Sequence, residues 1–165
     1  MIADTTSRKN RMLIGLLAEQ RFVGLLLSNN KSFKRTAQEA WLPEWIHNKL
    51  RYINNNEGIQ LIRHFPDFAT EKALIQIKAA PNENNYLCVT IEKASYQASK
   101  QLSDLGIPVL IVWQYQDHKF YAQWVNKLLA TLPDTNQRET KGSHTPYILI
   151  NKKLLKPINE FMDEI

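Results

Sequence analysis

Gln76 and Lys78 stand two positions apart in the run ALIQIKAA, residues 73–80. Side chains of an extended chain alternate between faces, so this pair shares one side and Ile75, Ile77 and Ala79 take the other. Burying an amide or an ammonium without partners is costly, so a surface, a salt bridge or a site must satisfy them. Asp67 follows Pro66 and precedes Lys78 by eleven positions. If the segments around Asp67 and Gln76 pair as a hairpin, a carboxylate and an amide carbonyl come side by side. Both are hard oxygen ligands of the kind Mg²⁺ accepts alongside water and phosphate. A lysine beside them can stabilise phosphate charge or help activate water.

The elements that must position these groups follow from periodicity. Ser7–Leu27 reads as a helix, with Leu13, Leu16, Leu17, Gln20, Val23, Gly24 and Leu27 at a 3.6-residue period. Residues 31–57 read as a helical insertion, with short helices at Thr36–Trp41 and Pro43–Tyr52. Ile59–Phe65 (IQLIRHF) and Ala73–Ala80 read as an antiparallel pair of strands, with Asp67 near the bend. Tyr86–Val89 reads as a short extended piece, and Thr90 as the N-cap of a helix over Ile91–Leu105. Gly106 falls where a left-handed glycine ends such a helix. Val109–Trp113 (VLIVW) is apolar throughout, as expected of a strand covered on both faces. Lys119–Val125 and Tyr147–Ile150 read as further strands, Leu132–Gly142 as a loop and Pro157–Met162 as a final short helix. The helix before VLIVW makes a β-α-β crossover, which places the flanking strands parallel. The expected fold is α/β, a mixed sheet of about four to five strands flanked by helices.

The chain has 165 residues, suited to one domain over 1–165, with 131–165 as a C-terminal extension. Its single cysteine, Cys88, cannot form an internal disulfide, and His47, His64, His118 and His144 lack zinc-ligand spacing. Met12–Leu17 is too short to span a membrane, and the expectation is a soluble cytoplasmic protein. No G-x-S-x-G, P-loop or G-x-G-x-x-G occurs among only five glycines, so no organic cofactor is expected. The net charge of +5 favours a polyanionic partner.

Pro66-Asp67, eight residues, then Gln76-x-Lys78 resembles the PD-(D/E)xK signature in a QxK form. The order of helix, strands, helix and strand around it also resembles that superfamily. The resemblance spans roughly residues 11–27 and 58–125. It implies a restriction-endonuclease-like fold and a metal-dependent endonuclease that hydrolyses DNA phosphodiester bonds. It assigns catalysis to Asp67, Gln76, Lys78 and Glu19. Mg²⁺, with Mn²⁺ able to substitute, falls to Asp67, Gln76 and Glu19. DNA is the implied partner and a homodimer the implied assembly.

Plainer readings stand beside these. Asp67 also suits a local turn, and Glu19 a surface pair with Lys9, Arg11 or a neighbouring strand. Gln76 replaces the usual acid and removes a charge, so a catalytically weak nuclease fold acting as a nucleic-acid-binding or assembly subunit is the alternative. Lys31, Lys34, Arg35, Lys49 and Arg51 suit either contact with the DNA backbone or a solvated face. Glu92, Ser95, Tyr96 and Ser99 share a helix face that is either solvated or near the site, with Tyr96 the candidate nucleic-acid contact.

Overall fold

The computed structural model describes residues 3–37, 43, 45–46, 57–80, 86–129, 137–139 and 146–165. Helix α1 is Ala3–Ser28, followed by strand β1, Phe33–Arg35. Helix α2, Glu57–Arg63, leads to β2, Phe68–Thr70, and β3, Leu74–Ala80. Then come β4, Cys88–Glu92, and α3, Lys93–Asp104. Next are β5, Val109–Tyr115, β6, Phe120–Trp124, and α4, Val125–Leu129. The last strands are β7, Gln137–Glu139, β8, Pro146–Asn151, and β9, Lys156–Pro157. Short 3₁₀ turns occupy Lys152–Leu154 and Ile158–Phe161.

Among the described residues the main sheet has six strands in the order β1-β2-β3-β5-β6-β9. Among the described strands only β3 and β5 run parallel, in the register Gln76↔Ile111 and Lys78↔Trp113. A second sheet, β4-β8-β7, is antiparallel. The main sheet exceeds the expected four to five strands because β1 and β9 are too short to leave a periodic signal.

One core lies between α1 and the main sheet. Ala18, Phe22 and Leu26, at i, i+4 and i+8, bury a stripe against Ile75, Ile77, Leu110, Val112 and Phe120. Phe22 meets the rings of Phe68 at 6.2 Å and Phe120 at 5.4 Å. The other core joins β5 to α3 and the second sheet through Val109, Ile111, Trp113, Leu102, Val89 and Ile150. Every residue of β5 except Tyr115 is buried, as its unbroken apolar run requires. Fully burying one such side chain contributes about 1.5–3 kcal/mol.

Several expectations need correction. Ile59–Phe65 is not a strand: residues 59–63 belong to α2. Leu61 and Phe65, four apart, pack on the second core while Ile62 is exposed, which is helical rather than alternating spacing. The hairpin partner of β3 is instead β2, with Thr70 and Ala73 closing the turn through Thr70 N–H to Ala73 O at 2.9 Å. Asp67 therefore lies at the open end of that hairpin, not at its bend. Thr90 caps no helix. It sits in β4, and its carbonyl accepts the Trp113 indole N–H at 2.9 Å. Helix α3 starts at Lys93 without a side-chain cap.

Within the expected helical insertion, Phe33–Arg35 is an edge strand. Residues 38–42, 44 and 47–56 lie outside the described residues, so most of the two helices expected there do too. Within the expected loop Leu132–Gly142, Gln137–Glu139 pairs with β8. Residues 146–165 contribute Ile148, Ile150 and Leu155 to one core and Ile158, Phe161, Met162 and Ile165 to the other. Gly106 has φ +82°, the left-handed turn expected after the helix. No described helix is long and apolar enough to cross a membrane.

Candidate active site

Strands β2 and β3 part company after two residue pairs, Ala69↔Leu74 and Phe68↔Ile75. Beyond that point the backbone of β3 has lost its β2 partner on that side. The Asp67 carboxylate takes the strand's place. Its Oδ2 accepts the Ile77 backbone N–H at 2.6 Å and the Gln76 side-chain N–H at 2.7 Å. Hydrogen bonds to a charged acceptor are stronger than neutral ones, so this carboxylate fixes both backbone and amide.

Thr36, which follows β1, holds the Pro66-Asp67 corner. Its hydroxyl donates to Pro66 O at 2.7 Å, and its N–H donates to Asp67 O at 2.9 Å. The sequence gives no hint of this clamp, because Thr36 is distant in the chain and ordinary in type.

Gln76 and Lys78 point to the same side of β3, away from α1 and toward α3. Gln76 is only 4% exposed. Its amide nitrogen must face the carboxylate, since two oxygens cannot share that hydrogen bond. The amide oxygen, Oε1, is therefore turned elsewhere, and it is buried with no hydrogen-bond partner among the described residues. An unsatisfied buried acceptor costs about 1–3 kcal/mol. Lys78 Nζ donates to Ser95 Oγ at 3.3 Å, and that hydroxyl lies 3.3 Å from His64 Nδ1.

Ser95, Tyr96 and Ser99 are all buried on the sheet-facing side of α3, whereas Glu92 is exposed. This face is therefore packed, not solvated. Tyr96 is in the core and offers no surface to a polynucleotide. Desolvation pushes its phenol up to about 12.

Glu19 lies on α1, across the sheet from Gln76 and Lys78. It forms an ion pair with Arg35, whose guanidinium also stacks over the Phe68 ring at 5.7 Å. Lys34 and Arg35 are exposed on the edge strand β1, opposite Ala69 and Phe68. Lys31 is half-buried, and Lys49 and Arg51 lie outside the described residues.

Among the described residues no three His, Cys, Asp or Glu side chains gather as a metal cluster. The candidate donors are one carboxylate, Asp67, and the orphaned Gln76 oxygen, which the amide now turns away from it, so sharing one ion requires the amide to turn over. A hard divalent cation satisfies such an acceptor, so these two groups fit an ion that keeps most of its water.

No protein family and no curated protein matches the sequence. Solved structures do. The chain is similar to Hjc, a Holliday junction resolvase from the archaeal hyperthermophile Archaeoglobus fulgidus, with a TM-score of 0.50 and 9% identity. That likeness covers 92% of this chain and 97% of the other. D212, a nuclease from a fusselovirus, matches over 97% of this chain and 88% of its own at 14% identity, with a TM-score of 0.45. At such identities the likeness to Hjc is one of fold. The hairpin that splits at Asp67, the crossover through α3 and the parallel β3–β5 pair together give this chain the restriction-endonuclease-like fold.

Proposed function

We propose that the protein is a metal-dependent endonuclease that hydrolyses DNA phosphodiester bonds. One observation carries the reading. The Asp67 carboxylate orients the Gln76 amide so that a buried carbonyl oxygen finds no partner among the described residues, one pleat from a lysine on the same face. Asp67 and Gln76 would hold a divalent ion, Mg²⁺ with Mn²⁺ able to substitute, whereas Glu19, across the sheet and paired with Arg35, stands outside that set. Such an ion supplies Lewis-acid neutralisation of charge on the phosphate.

The chain's own residues do the rest. Asp67 and the Ile77 N–H keep the donor geometry rigid. The Lys78 ammonium attracts a non-bridging phosphate oxygen and orients the attacking water. Lys34 and Arg35 on the sheet edge add charge that draws the DNA backbone toward the split between β2 and β3. A homodimer, with one site for each strand, belongs to the same reading.

The substrate panel should include linear, supercoiled, single-stranded and four-way-junction DNA. The last is included because the similar fold belongs to a junction resolvase. Each substrate is incubated with Mg²⁺, Mn²⁺ or EDTA. Cutting in metal and none in EDTA is expected. Asp67→Ala should abolish it while DNA binding persists. Undiminished cutting by Asp67→Ala would discard the mechanism.

A second reading has its own support. Gln76 is neutral and Glu19 is engaged by Arg35, which leaves one carboxylate to attract a cation. A nuclease fold that binds nucleic acid without cutting would show salt-sensitive DNA binding and no metal-dependent products.

A further inference from the structure

Lys78, Ser95 and His64 come from three separate elements: β3, α3 and the turn that ends α2. Their polar atoms form one line, Nζ to Oγ at 3.3 Å and Oγ to Nδ1 at 3.3 Å. Ser95 is 3% exposed, so water does not compete freely for its hydroxyl. The His64 backbone N–H is tied to Gln60 O at 3.0 Å, and the neighbouring Leu61 and Phe65 pack on the second core. The far end of the line is therefore anchored.

The donors and acceptors favour one direction. An ammonium only donates, so toward Lys78 the serine oxygen is the acceptor. The hydroxyl then has one proton to give, and His64 Nδ1 lies within reach. An imidazole accepting at Nδ1 carries its proton on Nε2.

We propose that Ser95, held by the Nε2-protonated tautomer of His64, is a positioning residue that fixes the Lys78 ammonium at the cutting centre. The effect on catalysis rests on the nuclease reading above, whereas the hydrogen-bonded line does not. Lysine carries about 2 kcal/mol of rotamer entropy in its stem. A buried hydroxyl that holds Nζ meets that cost on folding rather than at each catalytic event. Both contacts are long for hydrogen bonds, so the hold is moderate.

The test uses the full chain. Long-range ¹⁵N spectra read the His64 tautomer, and DNA cleavage in Mg²⁺ reads the consequence. The parent should show Nδ1 as an unprotonated acceptor. Ser95→Ala, a small change inside a helix, should keep the far-UV circular dichroism and shift the His64 ring ¹⁵N resonances. Its kcat should fall about tenfold with KM unchanged, the equivalent of one modest hydrogen bond. Ser95→Thr, which retains a hydroxyl, should recover the parent resonances and most of kcat.

A parent His64 protonated on Nδ1, or an unchanged His64 spectrum in Ser95→Ala, overturns the line. Unchanged kcat in Ser95→Ala overturns its role in cutting. A parent that cuts no DNA refutes the nuclease reading separately, and the His64 spectrum still decides the line itself.

Discussion

Gln76→Glu restores the acid of the PD-(D/E)xK pattern, and the structure gives it a defined cost. The wild-type amide donates to Asp67 Oδ2 at 2.7 Å, where a glutamate would place a second negative oxygen. The residue is 4% exposed, so solvent screens little of that repulsion. The site has an escape: the new glutamate takes up a proton. From an ordinary pKa near 4.3, staying protonated at pH 7 costs about 4 kcal/mol, which caps the penalty. A protonated glutamate can also donate to Asp67, which recovers part of the loss, so the expected deficit is about 2–4 kcal/mol.

The sign with pH follows from linkage. A carboxyl whose folded pKa lies above its unfolded value destabilises most at high pH. The deficit against the parent should therefore shrink by about 1.4 kcal/mol per unit as pH falls from 7 toward 5. Urea unfolding followed by tryptophan fluorescence, in EDTA and in Mg²⁺, measures both effects. Mg²⁺ at about a hundred times its Kd should return roughly 3 kcal/mol to the variant. Equal stability of variant and parent in EDTA at pH 7 would refute the placement of the amide against Asp67. A deficit that Mg²⁺ leaves untouched would refute the cation reading.

Two other perturbations are informative. Burial raises the Tyr96 phenol from 10.0 to about 12, so the parent should lose stability as pH climbs from about 10 to 12, by on the order of 2–3 kcal/mol. Tyr96→Phe should remove that alkaline loss and leave pH 7 stability within about 1 kcal/mol, since its hydroxyl has no partner among the described residues; an alkaline profile identical to the parent's argues against this burial. Glu19→Gln breaks a partly exposed ion pair and should change unfolding by under about 1 kcal/mol. Its cleavage at limiting Mg²⁺ should match the parent's, because Glu19 lies across the sheet from Asp67 and Gln76; weakened cleavage there would return Glu19 to the metal set.

The legible parts of this fold are those where local pattern and tertiary burial agree. VLIVW is apolar throughout because β5 is covered on both faces. Gly106 marks a helix end because its φ of +82° is strained for other residues. ALIQIKAA reads as a strand, and the two-residue spacing of Gln76 and Lys78 gives their common side directly. The rest fails for physical reasons. Strands of two or three residues, such as β1, β2 and β9, contain too few alternations to register. IQLIRHF satisfies both periods until Leu61 and Phe65 are seen to share a core. Thr90 has the chemistry of a helix cap, yet β8 claims its backbone for a sheet. Thr36 touches the candidate site only through tertiary contacts, so spacing along the chain could not single it out, whereas helical spacing already offered Ser95 as near the site.

The second sheet has a consequence for how the protein comes into being. Strand β4, which leads directly into α3, finds its partner in β8, and β6 finds its outer neighbour in β9. The Gln123 amide reaches Leu154 O at 2.6 Å, and the Trp124 indole reaches Glu164 at 3.2 Å. These pairings join stretches far apart in the sequence, and such contacts slow folding because a long loop must close first. During synthesis the wall that carries Ser95 stays unsupported until residues 146–165 have emerged. Damage at Ile150 or Ile158, remote from every polar group discussed, would then silence the protein by stalling its assembly while leaving its chemistry intact.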